Sequence, residues 1–131
     1  MPSVCHDARM ELRIVRLTDR FDASCRFWGE VLGWPVTRQW PADDDQGRGR
    51  VFGFGETARV ELIEVDTAVP VTGVRLGIEV QDVAAIHDRI IAAGHSPSHG
   101  LADQSWGHRN FSVVDPSGIE LTFFQVIADH A

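Results

Sequence analysis

Polar and apolar residues alternate along Glu11-Leu-Arg-Ile-Val-Arg-Leu17, which predicts a first strand, because successive side chains of an extended chain point to opposite faces. The spacing then changes. Phe21, Cys25, Trp28 and Leu32 recur at helical intervals and predict an amphipathic helix with one apolar stripe. Asp19 is its expected N-cap, Asp22 sits in its first turn, and Gly33 supplies the left-handed stop. After Pro35, residues 36–40 read as the second strand, and residues 41–50 as a polar connection containing glycine. Residues 51–54 and 58–65 read as strands three and four across a tight Gly-Glu-Thr turn.

The same theme then returns. Residues 74–80 form the fifth predicted strand, and Asp82 caps a helix with the stripe Val83, Ile86, Ile90 and Ala93, stopped by Gly94. Residues 95–104 are irregular, with room for one short strand. Residues 108–114 alternate, Asp115-Pro-Ser-Gly118 makes a turn, and residues 119–126 form the last strand. Each half thus reads βαβββ, module one over about 11–66 and module two over about 73–126. The link between them is too short and too apolar to separate independent domains. The expected class is α+β, a single domain over 1–131 whose two βαβββ modules form a curved mixed sheet around a central cleft. Equivalent positions of the two copies would point into that cleft.

Composition narrows the function classes. An apolar fraction of 44% with 24% charged residues is that of a globular protein, and no apolar run approaches the roughly 20 residues that span a bilayer. Residues 1–10 carry no periodic pattern and lack the basic-then-apolar order of a signal peptide, so the default expectation is the cytoplasm. A formal charge of −7, with scattered arginines, argues against nucleic acid as a partner. Cys5 and Cys25 form neither a disulfide framework nor a Cys-x-x-Cys pair. Cys25 reads as a packed thiol, Cys5 as part of a frayed terminus. No nucleophile elbow, phosphate loop or dinucleotide fingerprint occurs.

Two segments carry a resemblance. Phe27-Trp-Gly-Glu-Val-Leu-Gly-Trp34 and Trp106-Gly-His-Arg-Asn-Phe-Ser-Val-Val-Asp-Pro-Ser-Gly-Ile-Glu-Leu-Thr-Phe-Phe-Gln125 resemble the helix end and the closing hairpin of the vicinal oxygen chelate superfamily. That superfamily holds glyoxalase I, bleomycin-resistance proteins, fosfomycin-resistance enzymes and extradiol dioxygenases. The likeness spans residues 11–126 and implies a homodimer. In metal-using members it also implies four ligands, one early in each copy's first strand and one in each last strand. The repeat register carries these points onto Leu12, Glu61, Arg75 and Thr122. Only Glu61 is a competent ligand. Leu12 lacks a donor atom, Arg75 is a permanent cation, and Thr122 offers a weak neutral oxygen. Substituting Glu11 for Leu12 reverses the strand facing, whereas Glu120 for Thr122 keeps it. The expectation is no metal and no cofactor.

Strand parity assigns Leu12, Ile14 and Arg16, Arg59, Glu61 and Ile63, Arg75, Gly77 and Glu79, and Glu120, Thr122 and Phe124 to the cleft face. Val15, Leu17, Val60, Leu62, Leu76, Ile78, Val80, Leu121 and Phe123 would lie beneath the helices. Glu61 and Arg75 are expected to face each other. They would form either an inert ion pair or a clamp, in which Arg75 or Arg16 pins an anionic or carbonyl group while Glu61 takes a proton. Trp40, Phe52, Phe54, Trp106 and Phe124 are aromatic candidates for a pocket wall, core packing or a dimer contact. His108 is the expected proton-transfer partner of Glu61. His95 and His99 read as loop residues, His87 as a helix flank and Asp43-Asp-Asp45 as a solvated loop.

Three readings remain open. One is a small-molecule-binding protein of bleomycin-resistance type, with Arg16, Trp40, Phe54, Glu61, Arg75, Trp106, His108, Thr122 and Phe124 as ligand contacts. Another is a lyase or isomerase, metal-dependent or metal-free, using Glu61 as base. The third is a subunit with no ligand of its own.

Overall fold

The computed structural model describes residues 10–128; Cys5 lies outside them. The chain runs β1 (Leu12–Thr18), α1 (Phe21–Arg26) continued by a π-helical turn (Phe27–Val31), β2 (Val36–Trp40), β3 (Gly49–Phe54), β4 (Ala58–Glu64), β5 (Arg75–Glu79), α2 (Val83–Ala92), β6 (His99–Asp103), β7 (His108–Val114) and β8 (Glu120–Val126). It divides into two compact units between Ala68 and Val69. Each carries a four-stranded mixed sheet, ordered β1-β4-β3-β2 in module one and β5-β8-β7-β6 in module two. β1 runs parallel to β4 and β5 to β8; the remaining pairs are antiparallel. The poorly marked second strand of module two is β6.

In module one the predicted stripe is the buried one: Phe21, Cys25, Trp28 and Leu32 all lose nearly all their exposure. The cap differs from expectation. Arg20 holds the N-cap position without a side-chain cap, because the Asp19 carboxylate accepts instead from the Ala68 N–H at 3.1 Å. Further on, the Leu32 N–H reaches five residues back to the Phe27 carbonyl at 2.9 Å, opening the helix by one residue. Consecutive residues of a regular helix diverge by about 100°. Widening the turn lets both Phe27 and Trp28 reach the core. Gly33 then turns the chain at φ 77°.

The β1–β4 register corrects the predicted facing of β1. Arg13 lies opposite Arg59, Val15 opposite Glu61 and Leu17 opposite Ile63, so these residues share the face of Glu61. Leu12, Ile14 and Arg16 fall on the other face with Ala58, Val60 and Leu62. Accordingly Val15 and Leu17 stay 48% and 49% exposed rather than lying under a helix. The reason is visible in β1 itself, where each face mixes arginine with aliphatic residues and parity alone does not choose between them.

Arg48 ties the β2–β3 connection to the module. Its guanidinium donates to Glu64 at 3.0 and 2.8 Å and to Asp22 at 3.0 Å, over the face of Phe21. The guanidinium bonds to Glu64 first, and then the Arg48 backbone N–H donating to the same carboxylate at 3.3 Å, push the Glu64 carboxyl down from its ordinary 4.5 to about 2. A depressed folded-state value stabilises the protein above the ordinary value, and that stabilisation is lost as pH falls from 4.5 toward 2. Glu64→Gln is therefore expected to flatten the acid limb of a melting-temperature profile between pH 5 and pH 2, approximately the window these values define. An unchanged limb would remove Glu64 from the acid sensitivity.

Module two keeps the predicted cap. The Asp82 carboxylate accepts from the Ala85 N–H at 3.1 Å, and Gln125 receives the Val83 N–H at 3.0 Å. Val83 and Ile90 pack under α2 against Phe111, Val113, Leu121 and Phe123, all buried. β2 and β6, each at one edge of its sheet, break register, between Val36 and Arg38 and between His99 and Ala102.

Candidate functional site

Each sheet has one face covered by its helix and one that is not. In module one the uncovered face carries Arg13, Arg59, Glu61, Arg38 and Trp40, from the registers of the four strands. Arg13, Arg59 and Glu61 are engaged within the module. Arg13 donates to Glu61 at 2.8 Å and to Glu11 at 2.8 and 3.0 Å, so all three of its guanidinium nitrogens are engaged. Arg59 closes the β3–β4 turn by donating to the carbonyls of Gly55, Glu56 and Ala58. Trp40 lies flat over Gly49, where no side chain would fit, with the Arg38 guanidinium 5.5 Å from its ring centre. Its indole Nε1 is buried without a hydrogen-bond partner among the described residues.

Phe54 and Arg16, expected as ligand contacts, stand elsewhere. Phe54 lies opposite Ala58 on the covered side and stacks on Trp34 at 4.8 Å. Arg16 lies opposite Leu62 on the same covered side. Two cavities open around α1, β2 and β3. One of about 300 Å³ reaches Trp40, Arg48 and Arg50, and one of about 470 Å³ reaches Cys25 and Arg50. Burial raises the Cys25 thiol above its ordinary value, so it matches the packed thiol predicted.

The uncovered face of module two collects the other predicted residues. Arg75, Gly77 and Glu79 of β5 lie opposite Glu120, Thr122 and Phe124 of β8, as parity predicted. His108, Asn110 and Ser112 of β7 lie opposite Val126, Phe124 and Thr122. The His108 ring stacks on Phe124 at 4.6 Å and 13°, and Trp106 meets His108 edge-on at 6.4 Å. Thr122 and Ser112 share a hydroxyl–hydroxyl bond of 2.8 Å. Glu120 accepts from Arg75 Nε at 3.2 Å and from the Ser98 hydroxyl at 3.4 Å, with His99 at 3.8 Å.

Three contributors escaped sequence reasoning: Asn110, Ser112 and Gln104, whose amide donates to Asn110 at 3.1 Å. Alternation along β7 places Asn110 and Ser112 on the face of His108 and was signal enough for both. Gln104 needed the path of β6, which the irregular segment hid. The ion pairs formed by Glu61 and Arg75 are also not with each other: Glu61 pairs with Arg13, and Arg75 with Glu120.

The registers also refine the metal question. Val15 lies opposite Glu61 as Gly77 lies opposite Thr122, so the first-strand equivalent of Arg75 is Arg13 and not Leu12. Both first-strand ligand points therefore carry guanidinium groups. A divalent ion fits neither, and Thr122 adds no charge to offset the repulsion. Among the described residues, no three His, Cys, Asp or Glu side chains cluster as a metal site.

The fold has many solved counterparts. TnmS3, an antibiotic binding protein from Streptomyces sp. CB03234, is 20% identical at a TM-score of 0.71, over 88% of this chain and 94% of that one. TioX from Micromonospora sp. ML1 is also 20% identical, at 0.68 over 91% and 98%. An E144Q mutant of glyoxalase I from Zea mays is 16% identical at 0.76; 91% of this chain matches 48% of that protein. No curated protein sequence matches. None of the described helices is long and apolar enough to cross a membrane. The family model of the Glyoxalase/Bleomycin resistance protein/Dioxygenase superfamily matches residues 12–123, and the chain belongs to that superfamily.

Proposed function

We propose that the protein binds a small organic ligand on the uncovered face of module two and does so without a metal ion. The observation that supports this most is the pairing of a guanidinium at each first-strand ligand point with an accessible aromatic floor, His108 on Phe124 beside Trp106. Such a mix of flat apolar surface and a few polar groups suits a flat or apolar molecule. An antibiotic binding protein among the structural counterparts agrees with this reading. Arg75, Trp106, His108, Thr122 and Phe124 are the proposed contacts. Arg16 and Phe54 are not, since they stand on the covered side of module one.

The catalytic alternative assigns Glu61 as base and His108 as its partner. It has less support, because Glu61 already accepts from Arg13 and only 14% of its side chain is exposed. A homodimer in the cytoplasm completes the proposal, its assembly measurable by light scattering.

The test is metal analysis of the protein as isolated, with mass spectrometry of any small molecule released on denaturation. The expected result is less than one equivalent of any transition metal, a melting temperature that chelators leave unchanged, and a copurified organic compound or a fragment hit on β5 and β8. Stoichiometric zinc, nickel, manganese or iron would overturn it.

A further inference from the structure

Resting on that reading, we infer the chemical class of the ligand: a flat aromatic carboxylate, its acid group held by Arg75 and its ring laid over Gly77 against Phe124. The two equivalent arginines differ in one respect that decides this. Arg13 spends all three guanidinium nitrogens on Glu11 and Glu61. Arg75 spends only Nε, on Glu120, and its side chain is 58% exposed. Its two terminal nitrogens have no partner among the described residues, and together they form the planar fork that matches a carboxylate. Glu120 fixes the orientation of that fork without covering it. Being bonded in turn by Ser98, it stays committed to the protein.

The floor beside this fork is open. A Cβ on Gly77 would meet nothing but the Phe124 ring edge, at 3.7 Å. Gly77 stands two residues from Arg75 along β5, about 6.6 Å at the rise of a parallel strand. A bicyclic ring over Gly77 therefore places a directly attached carboxylate at the guanidinium. Thr122, opposite Gly77, adds one more contact. Of the two hydroxyl protons in the Ser112–Thr122 pair, their mutual bond uses one and leaves the other to donate. Glu79, at the far end of β5 opposite Phe124, repels the acid group from that end and so sets the ligand's direction.

The experiment uses the full chain and two probes of one shape, 2-naphthoate and neutral 2-naphthamide, with binding located by amide chemical shifts. The naphthoate is expected to bind about tenfold tighter, with its shifts on β5 and β8. Arg75→Gln should bring the two affinities together, and Arg75→Lys should restore only part of the difference, since it returns charge without the fork. Gly77→Leu, at an exposed position, should abolish binding of both probes while the spectrum stays folded. Equal affinities in the unaltered protein, with shifts on β5 and β8, would overturn the carboxylate assignment and leave the binding face standing. Shifts elsewhere, or Gly77→Leu binding both probes normally, would overturn the placement of the ring. If no member of a chemically diverse fragment set perturbs β5 or β8, the binding reading itself falls.

Discussion

Replacing Trp28 by alanine is expected to lower the unfolding free energy by about 3–5 kcal/mol, the range for a large aromatic removed from a closed core. Trp28 has no exposed surface and meets Phe27 edge-on at 6.0 Å and Trp34 at 4.8 Å. Trp34 in turn stacks on Phe54, so the vacancy would loosen a run of four aromatic rings. The widened turn adds to the cost. Its hydrogen bonds from Leu32 to Phe27 and from Trp34 to Trp28 hold the backbone in a rare geometry, and the indole helps to fix it. Natural domains hold about 5–15 kcal/mol in all, so this single change removes roughly a fifth of the stability at the least and most of it in a marginal domain. Calorimetry should show a melting temperature lower by about 10–20 °C, with Trp28→Phe recovering more than half of the loss. A drop of only a few degrees would mean that the rings can close over the gap.

Removing the carboxylate of Asp115 should cost about 2–4 kcal/mol, although the residue contributes no apolar area. Asp115 is 3% exposed. Its Oδ1 accepts the Ile119 N–H at 2.8 Å, and its two oxygens take the Ser117 hydroxyl at 2.9 and 3.0 Å. The backbone of the same residue pairs with Ile119 and Gly118, so the carboxylate and the main chain together close the turn from β7 to β8. In Asp115→Ala the Ile119 N–H stays buried without an acceptor, and that orphaned group accounts for most of the loss. Asp115→Asn retains an acceptor oxygen and should lose less than half as much. Urea unfolding measures the difference directly; an Asp115→Ala midpoint equal to the parent's would show that the turn closes without its side chain.

The fold was open to reading because its signals are local and repeated. The stripes Phe21–Cys25–Trp28–Leu32 and Val83–Ile90, the stops at Gly33 and Gly94, and strands β2 and β7 stand where their periodicities place them. In module two, parity also found the face, because β5 and β8 separate their residues clearly: Leu76, Ile78, Leu121 and Phe123 on one side, Arg75, Gly77, Thr122 and Phe124 on the other. In module one it failed. β1 carries an arginine and two aliphatic residues on each face, and only the pairing with β4 decides that Arg13 and not Arg16 stands beside Glu61. That slip of one residue hid the Arg13–Glu61 ion pair and put a leucine where a second guanidinium belongs. Asp19 misled for a related reason. Its capping chemistry was right, but a distant amide, that of Ala68, took the carboxylate. Competition between local and distant partners does not show in a sequence window.

The register breaks in β2 and β6 bear on how this chain behaves in a crowded solution. A smooth outer strand offers a ladder of amides on which a foreign strand can zip and seed a fibre. Here one edge of each sheet is kinked, at Thr37 in β2 and near Gly100 in β6, so a strand arriving there would lose step after two or three residues, roughly the length of an unbroken stretch, whereas the opposite edges, β1 and β5, run without a break. Strand-by-strand growth is therefore hindered at β2 and β6, and a second extended chain that pairs in step with either sheet has β1 or β5 as its place to do so.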